Sequence, residues 1–140
     1  MADVPAPSDG VMAAAASALR AQQSRMRVIA ENMANADSVS KTAGGDPYRR
    51  QVAVFTPVSL PGGVQGVAMT QVAQDPRPFP IQYQPGHPAA DDKGNVKMPN
   101  VDPLMEAMDM RDAQRAYEAN LNVIDTDKAM QTSLIQLLQK

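Results

Sequence analysis

The sequence predicts an α+β fold: long N- and C-terminal helices pairing as a coiled coil, with a small, mostly antiparallel β module inserted between them. Three observations carry this. Neither Val11–Ala43 nor Leu104–Lys140 contains a single Gly or Pro. Ten of the twelve prolines lie between Pro47 and Pro103, and seven of the eight glycines between Gly44 and Gly94, so the middle cannot stay helical for long. In both end segments, apolar residues recur every seven positions. The chain therefore divides into a mobile N-terminal tail at 1–10, a helical coiled-coil assembly domain made of 11–36 with 101–140, and a loop and small β module at 37–100.

The first helix is expected to begin at Gly10 or Val11, with Ser8 or Asp9 as its cap. Met12, Leu19, Met26 and Met33 form its heptad seam, with Ala15, Ala16, Ile29 and Ala30 beside them and Gln22 and Gln23 interrupting. It should fray over Ala36–Ser40, where Asn35, Asp37 and Ser38 offer side-chain bonds to the backbone. Lys41–Pro47 reads as a loop. Gln51–Val58 and Gly66–Ala73 read as strands around a turn at Leu60–Gly63. Phe79, Ile81 and Tyr83 mark a third strand, which its prolines confine to an edge. Asp91–Gly94 is a turn before a short fourth strand at Val96–Met98. Together they predict one module of about four strands, marginal by itself.

The second helix is expected to be capped by Asn100 or Asp102, with Pro103 at the favoured first position and Glu106 at the third. Ala116, Val123, Met130 and Leu137 repeat every seven residues, flanked by Tyr117, Ile124, Leu134 and Leu138. Asn120 and Asp127 sit within or beside this seam, where polar groups cost stability but set register. Neither helix can bury its stripe alone.

Composition narrows the function classes. The net charge of -2, with both signs mixed, lacks the basic face that nucleic acid requires. The absence of cysteine removes disulfides, thiolate catalysis and Cys-based zinc sites together. No apolar run is long enough to span a bilayer, and Met1–Gly10 lacks the basic and apolar regions of a cleavable signal peptide.

No motif here points to catalysis, a metal or a cofactor. His87, the sole histidine, lies in the turn Pro85-Gly86-His87-Pro88 with no nucleophile motif to serve. Asp91, Asp92 and Asn95 lack the spacing and terminal Glu of a calcium loop and read as a reverse turn. Glu106, Asp109 and Asp112 share a helix face as carboxylates could for acid–base work, but Arg111 and Arg115 beside them favour a solvated or interface charge face. Tyr48-Arg49-Arg50 has the composition of an interface anchor and supplies candidate contacts between subunits.

Ala30-Glu31-Asn32-Met33-Ala34-Asn35-Ala36-Asp37 resembles the N-terminal signature of flagellar rod and hook proteins. Thr42–Arg50, Val96–Pro103 and Arg115–Asn120 resemble, in order and spacing, segments of the rod branch of that axial family, over about Ser17 to Lys140. The resemblance implies a structural subunit that assembles into the proximal rod of the bacterial flagellar basal body and transmits motor torque across the periplasm. It implies export by the flagellar type III apparatus without a cleaved signal. It also implies FlgB, FlgF, FlgG and FliE as neighbours. Asn32, Asn35, Asp37, Asn100 and Asn120 are then candidates for setting register, and Tyr48, Arg49 and Arg50 for contacting neighbours. Another axial subunit of distal-rod or hook type, and a soluble coiled-coil export adaptor, are the alternatives.

Overall fold

The structure, a computed structural model, describes residues 7–139. Its elements run α1 (Pro7–Ala34), β1 (Gln51–Ser59), a 3-10 turn (Pro61–Gly63), β2 (Gln65–Gln74), β3 (Ile81–Tyr83), β4 (Asn95–Lys97) and α2 (Pro103–Leu138). The architecture is α+β, with the two long helices at the chain ends and the strands between them.

The helix ends follow from local chemistry. α1 starts at Pro7, earlier than the expected Gly10 or Val11, so Ser8 and Asp9 lie inside it rather than capping it. Pro7 suits the first helical position, where a missing N–H costs nothing. Of the expected tail, residues 7–10 are helical, and 1–6 fall outside the described residues. α1 ends where Asn35 Nδ2 donates to the Glu31 carbonyl at 2.8 Å and Ser38 Oγ donates to Asn35 Oδ1 at 3.0 Å. α2 is capped by Asp102, whose Oδ1 accepts the Leu104 N–H at 2.9 Å. That places Glu106 at the fourth position, not the expected third; its carboxylate is used elsewhere.

The expected single four-stranded module is two separate two-stranded sheets, β1–β2 and β3–β4. β3 and β4 are antiparallel, pairing Ile81 with Lys97, Gln82 with Val96 and Tyr83 with Asn95. Pro76, Pro78 and Pro80 separate the sheets, since residues without an N–H cannot continue a ladder. The β1–β2 turn uses Gly62 and Gly63 at φ 80° and 76°, a conformation that penalises any residue with a Cβ.

The described chain forms two compact units. The first takes residues up to Met26, Val54–Gln71 and Asp112 onward; the second takes Arg27–Ala53 and Val72–Arg111. In the first unit the buried positions are small: Ala15, Ser17, Ala21 and Ala113. The hairpin meets α1 closely there. Ser17 Oγ accepts the Val67 N–H at 3.1 Å and donates to the Ala14 carbonyl at 2.7 Å. A Cβ on Gly66 would stand 2.7 Å from Ser17 Oγ and 2.6 Å from Leu60 Cδ1, so only glycine permits this approach. α1 and α2 run antiparallel within this unit: Val11 lines a groove with Asn122–Met130, and Ala14 and Ala18 line one with Asn120 and Val123.

The second unit buries Val28, Ile29 and Asn32 of α1, Ala89 and Val96 of the β3–β4 region, and Asp75, Asn100 and Glu106. The inward face of α1 is thus offset from the expected methionine seam. Ile29 is buried, but Met12, Leu19 and Met26 are half-buried and Met33 and Ala30 are exposed. The small side chains Ala15, Ser17 and Ala21 form the inner face because the hairpin backbone approaches α1 more closely than Met or Leu would allow. Gln22, which interrupts the expected seam, has its buried Oε1 without a partner among the described residues.

Candidate functional site

A polar node organises the second unit, built from one residue of α1, the segment entering β1 and the first turns of α2. Asn32 is 1% exposed and Glu106 is 0% exposed. An ionised carboxylate so buried needs compensating partners. Arg50 Nε and Asn32 Nδ2 supply them, the latter at 3.1 Å from Glu106 Oε2. The same Asn32 Nδ2 donates to the Gln51 carbonyl at 2.8 Å, and Asn32 Oδ1 accepts the Gln51 N–H at 2.9 Å and the Tyr48 hydroxyl at 3.0 Å. The Asn32 amide therefore serves Gln51 as a neighbouring strand would, offering one donor and one acceptor to the same residue's backbone. Burial raises the Tyr48 phenol above its ordinary pKa, with the nearby Glu31 and Glu106 charges adding to the effect.

Arg50 extends the node. Its guanidinium also reaches Asp75 at 3.4 Å and Asp109 at 3.2 Å. Asp75 is held further by Arg77, whose Nη2 lies 2.7 Å from Asp75 Oδ2. The Arg77 side-chain hydrogen bonds are the main cause that lowers the Asp75 carboxyl to a pKa of about 2. The backbone of this proline-rich elbow is clamped from two sides. Arg49 Nη1 donates to the carbonyls of Asp75 and Arg77 at 2.9 and 3.1 Å. Asn100 Nδ2 donates to the same two carbonyls at 3.3 and 3.1 Å, while its Oδ1 accepts the Arg50 N–H at 2.7 Å. Arg49 also stacks on Phe79, 4.1 Å from the ring centroid.

The structure brings Asn32, Asn100, Tyr48, Arg49 and Arg50 into one cluster, although the sequence reading had divided them into register and inter-subunit groups. All three of the Tyr48-Arg49-Arg50 side chains are engaged within the chain. Glu106 is the main correction: it is the anchor of the node and not part of a charge face. Asp109 is drawn toward Arg50, whereas Asp112 stays on the surface, 4.0 Å from Arg115. A signal for Glu106 was present in the sequence, since it stands seven residues before Ala113 and fourteen before Asn120 on one stripe of α2. Asp75 was missed because nothing local marks a carboxylate just before a proline as buried.

The remaining positions are local. Asn120 Nδ2 donates to its own helix at the Ala116 carbonyl, 2.7 Å away. Asp37 lies exposed in the turn after α1. His87 Nδ1 accepts the Ala89 N–H at 3.0 Å, which closes its turn. Asp91 Oδ1 accepts the Lys93 and Asn95 N–H groups, both at 2.9 Å, and these bonds lower its pKa.

The second feature is an apolar stripe on α2. In the first unit the half-buried face of this helix carries Tyr117, Asn120, Ile124, Asp127 and Gln131. Of the heptad seam, Ala116 is half-buried and Val123 borders the groove with α1 at 44% exposed, whereas Met130 is 58% and Leu137 71% exposed, with Leu134 and Ile135 also exposed. In the second unit the first turns of α2 likewise expose Leu104, Met105 and Met108. The half-buried face of α2 thus mixes polar and apolar residues, while Met130, Leu134, Ile135 and Leu137 are left in water.

The chain is similar to flagellar basal-body rod proteins. Residues 12–40 match the family described as flagella basal body rod protein, and residues 92–137 match the flagellar basal body rod FlgEFG protein C-terminal family. The flagellar basal-body rod protein FlgC of Agrobacterium fabrum is 44% identical over 126 residues, covering 89% of this chain and 91% of that protein. The protein of the same name from Yersinia enterocolitica is 44% identical, covering 89% and 93%. That of Borreliella burgdorferi is 40% identical over 143 residues, again covering 89% and 93%.

Proposed function

This chain belongs to the FlgC family of flagellar basal-body rod proteins, structural components of the rod, and from that premise we propose that it builds the proximal rod by burying the outward stripe of α2 against neighbouring subunits. The observation that supports this reading is the exposure of Val123, Met130 and Leu137 on a helix whose inward face is partly polar. A heptad seam that its own subunit does not cover is suited to side-by-side helix packing between copies. Repeated as a heterologous contact, such packing grows a helical tube rather than a closed ring. The polar node then has a supporting role. It holds Tyr48–Gln51 and the 75–77 elbow on the helices, so that torque passing along the rod meets a fixed middle segment.

Family membership supports the finer assignments. The neighbours are the subunit itself, FlgB, FlgF, FlgG and FliE. The site is the periplasmic part of the basal body, and the route is the flagellar type III apparatus. None of the described helices is long and apolar enough to cross a membrane.

The test is a triple substitution, Val123→Asp, Met130→Asp and Leu137→Asp. Because these side chains are exposed in the subunit, helicity and melting should change little, while incorporation into purified basal bodies and swimming should be lost. Normal rods built from the triple variant would sink the proposal.

A further inference from the structure

The chain has no cysteine, so its sulfur chemistry rests on ten methionines. Their environments divide. Met33, Met105, Met108 and Met130 are 41 to 58% exposed, whereas Met12, Met26, Met69, Met98 and Met110 are half-buried against the subunit. Thioether oxidation follows solvent access. Among the described residues, three of the four exposed methionines lie on α2: Met130 in the exposed heptad, and Met105 and Met108 in the first turns beside Leu104.

We propose that Met105, Met108 and Met130 are oxidative modification sites for peroxide, and that their conversion to the sulfoxide blocks assembly; this rests on the reading of exposed α2 as the assembly face. The chemistry is a two-electron transfer. A sulfur lone pair attacks one peroxide oxygen, the O–O bond breaks, the S–O bond forms, and the second oxygen leaves as water. The thioether is oxidised to a sulfoxide and the peroxide reduced. A flexible apolar side chain thereby becomes a polar one with a strong acceptor. Exposed to water, that change leaves the subunit fold intact. Against a packed neighbour it places an unpaired polar oxygen in an apolar seam. Met33 is the internal control: also exposed, though less so at 41%, it lies on α1 and outside the α2 stripe.

The experiment treats the purified full-length chain and, separately, purified basal bodies with a graded series of hydrogen peroxide. Peptide mass spectrometry then reads the gain of one oxygen at each methionine. In the free chain the four exposed methionines should oxidise several-fold faster than the five half-buried ones. In basal bodies Met105, Met108 and Met130 should be protected. Free chain oxidised before mixing should lose incorporation, and M105L/M108L/M130L, which keeps volume and apolarity, should retain it after the same treatment. Equal rates at all methionines in the free chain would overturn the inference and leave the rod reading standing. Selective oxidation in the free chain that persists unchanged in basal bodies would instead overturn the assembly-face reading, and the inference with it. Loss of incorporation by the peroxide-treated leucine variant would assign the block to another residue.

Discussion

The two units of this subunit are held together by opposite means. The second is organised around charge: a fully buried Glu106, paired with Arg50 and Asn32, ties a strand and two helices together. The first has small residues and close backbone approach at its centre, as where Gly66 meets Ser17, and it leaves large apolar residues of α2 in water. A buried ionic node tolerates little change, because each member left alone is an uncompensated polar group in a low-dielectric setting. An exposed apolar stripe tolerates substitution within the subunit but not within an assembly. The same chain thus separates what fixes its own fold from what is available to neighbours.

That contrast can be broken at graded cost. The largest effect on folding is expected from Arg50→Ala, which leaves Glu106 buried without its cation; such losses run about 3–5 kcal/mol. Chemical denaturation of the purified chain should show it. Glu106→Gln should cost less, because the amide oxygen still accepts one bond.

Next comes Asn32→Ala, which removes the partner of the half-buried Gln51 N–H and carbonyl and Tyr48 hydroxyl, at about 1–3 kcal/mol in all because water reaches these part-buried groups. Hydrogen exchange at the Gln51 amide should accelerate before global unfolding does. In the first unit Gly66→Ala drives a Cβ into Ser17 Oγ and Leu60, an overpacking cost of about 1–3 kcal/mol. Pairing it with Ser17→Ala would sharpen the comparison: relief by the second change locates the strain at that contact.

A smaller and pH-dependent effect belongs to Asp75. Its carboxyl is lowered from 3.8 to about 2 in the folded chain, so it contributes stability above the unfolded value. That contribution should fade as pH falls from about 4 toward 2. Asp75→Asn should flatten the acid limb of a stability–pH curve measured by thermal melting. A parallel slope in wild type and variant would remove Asp75 from the node's energetics. The smallest change in subunit stability, within about 0.5 kcal/mol, is expected from substituting exposed Val123, Met130 or Leu137. Those same positions should show the largest change in assembly.

Much of the fold was legible because helices and turns answer to local rules. The Gly- and Pro-free ends, Pro103 after Asp102, the Gly62-Gly63 turn and the alternation around Ile81–Tyr83 each depend on a few neighbouring residues. The heptad of Val123, Met130 and Leu137 was legible too, but not which way it faces. Periodicity defines a stripe, whereas burial depends on what lies opposite. Here Asn120, Asp127 and Gln131 share the half-buried face, and the apolar seam is left outside. On α1 the same limit appears: the methionine repeat was readable, but the hairpin's close approach made Ala15, Ser17 and Ala21 the inner face.

The sequence by itself therefore determined the element types, the helix-end chemistry and the family, all of which reside in short motifs and spacing. Only the tertiary structure decided that Glu106 is buried, that Asn32 stands in for a strand, and that Asp75 bridges two arginines. The Asn32 contacts join residues 16 to 74 positions apart, from the Asn32–Tyr48 and Asn32–Gln51 pairs to Asn32–Glu106. Whether a charge is solvated or paired is decided by groups that local sequence does not bring together.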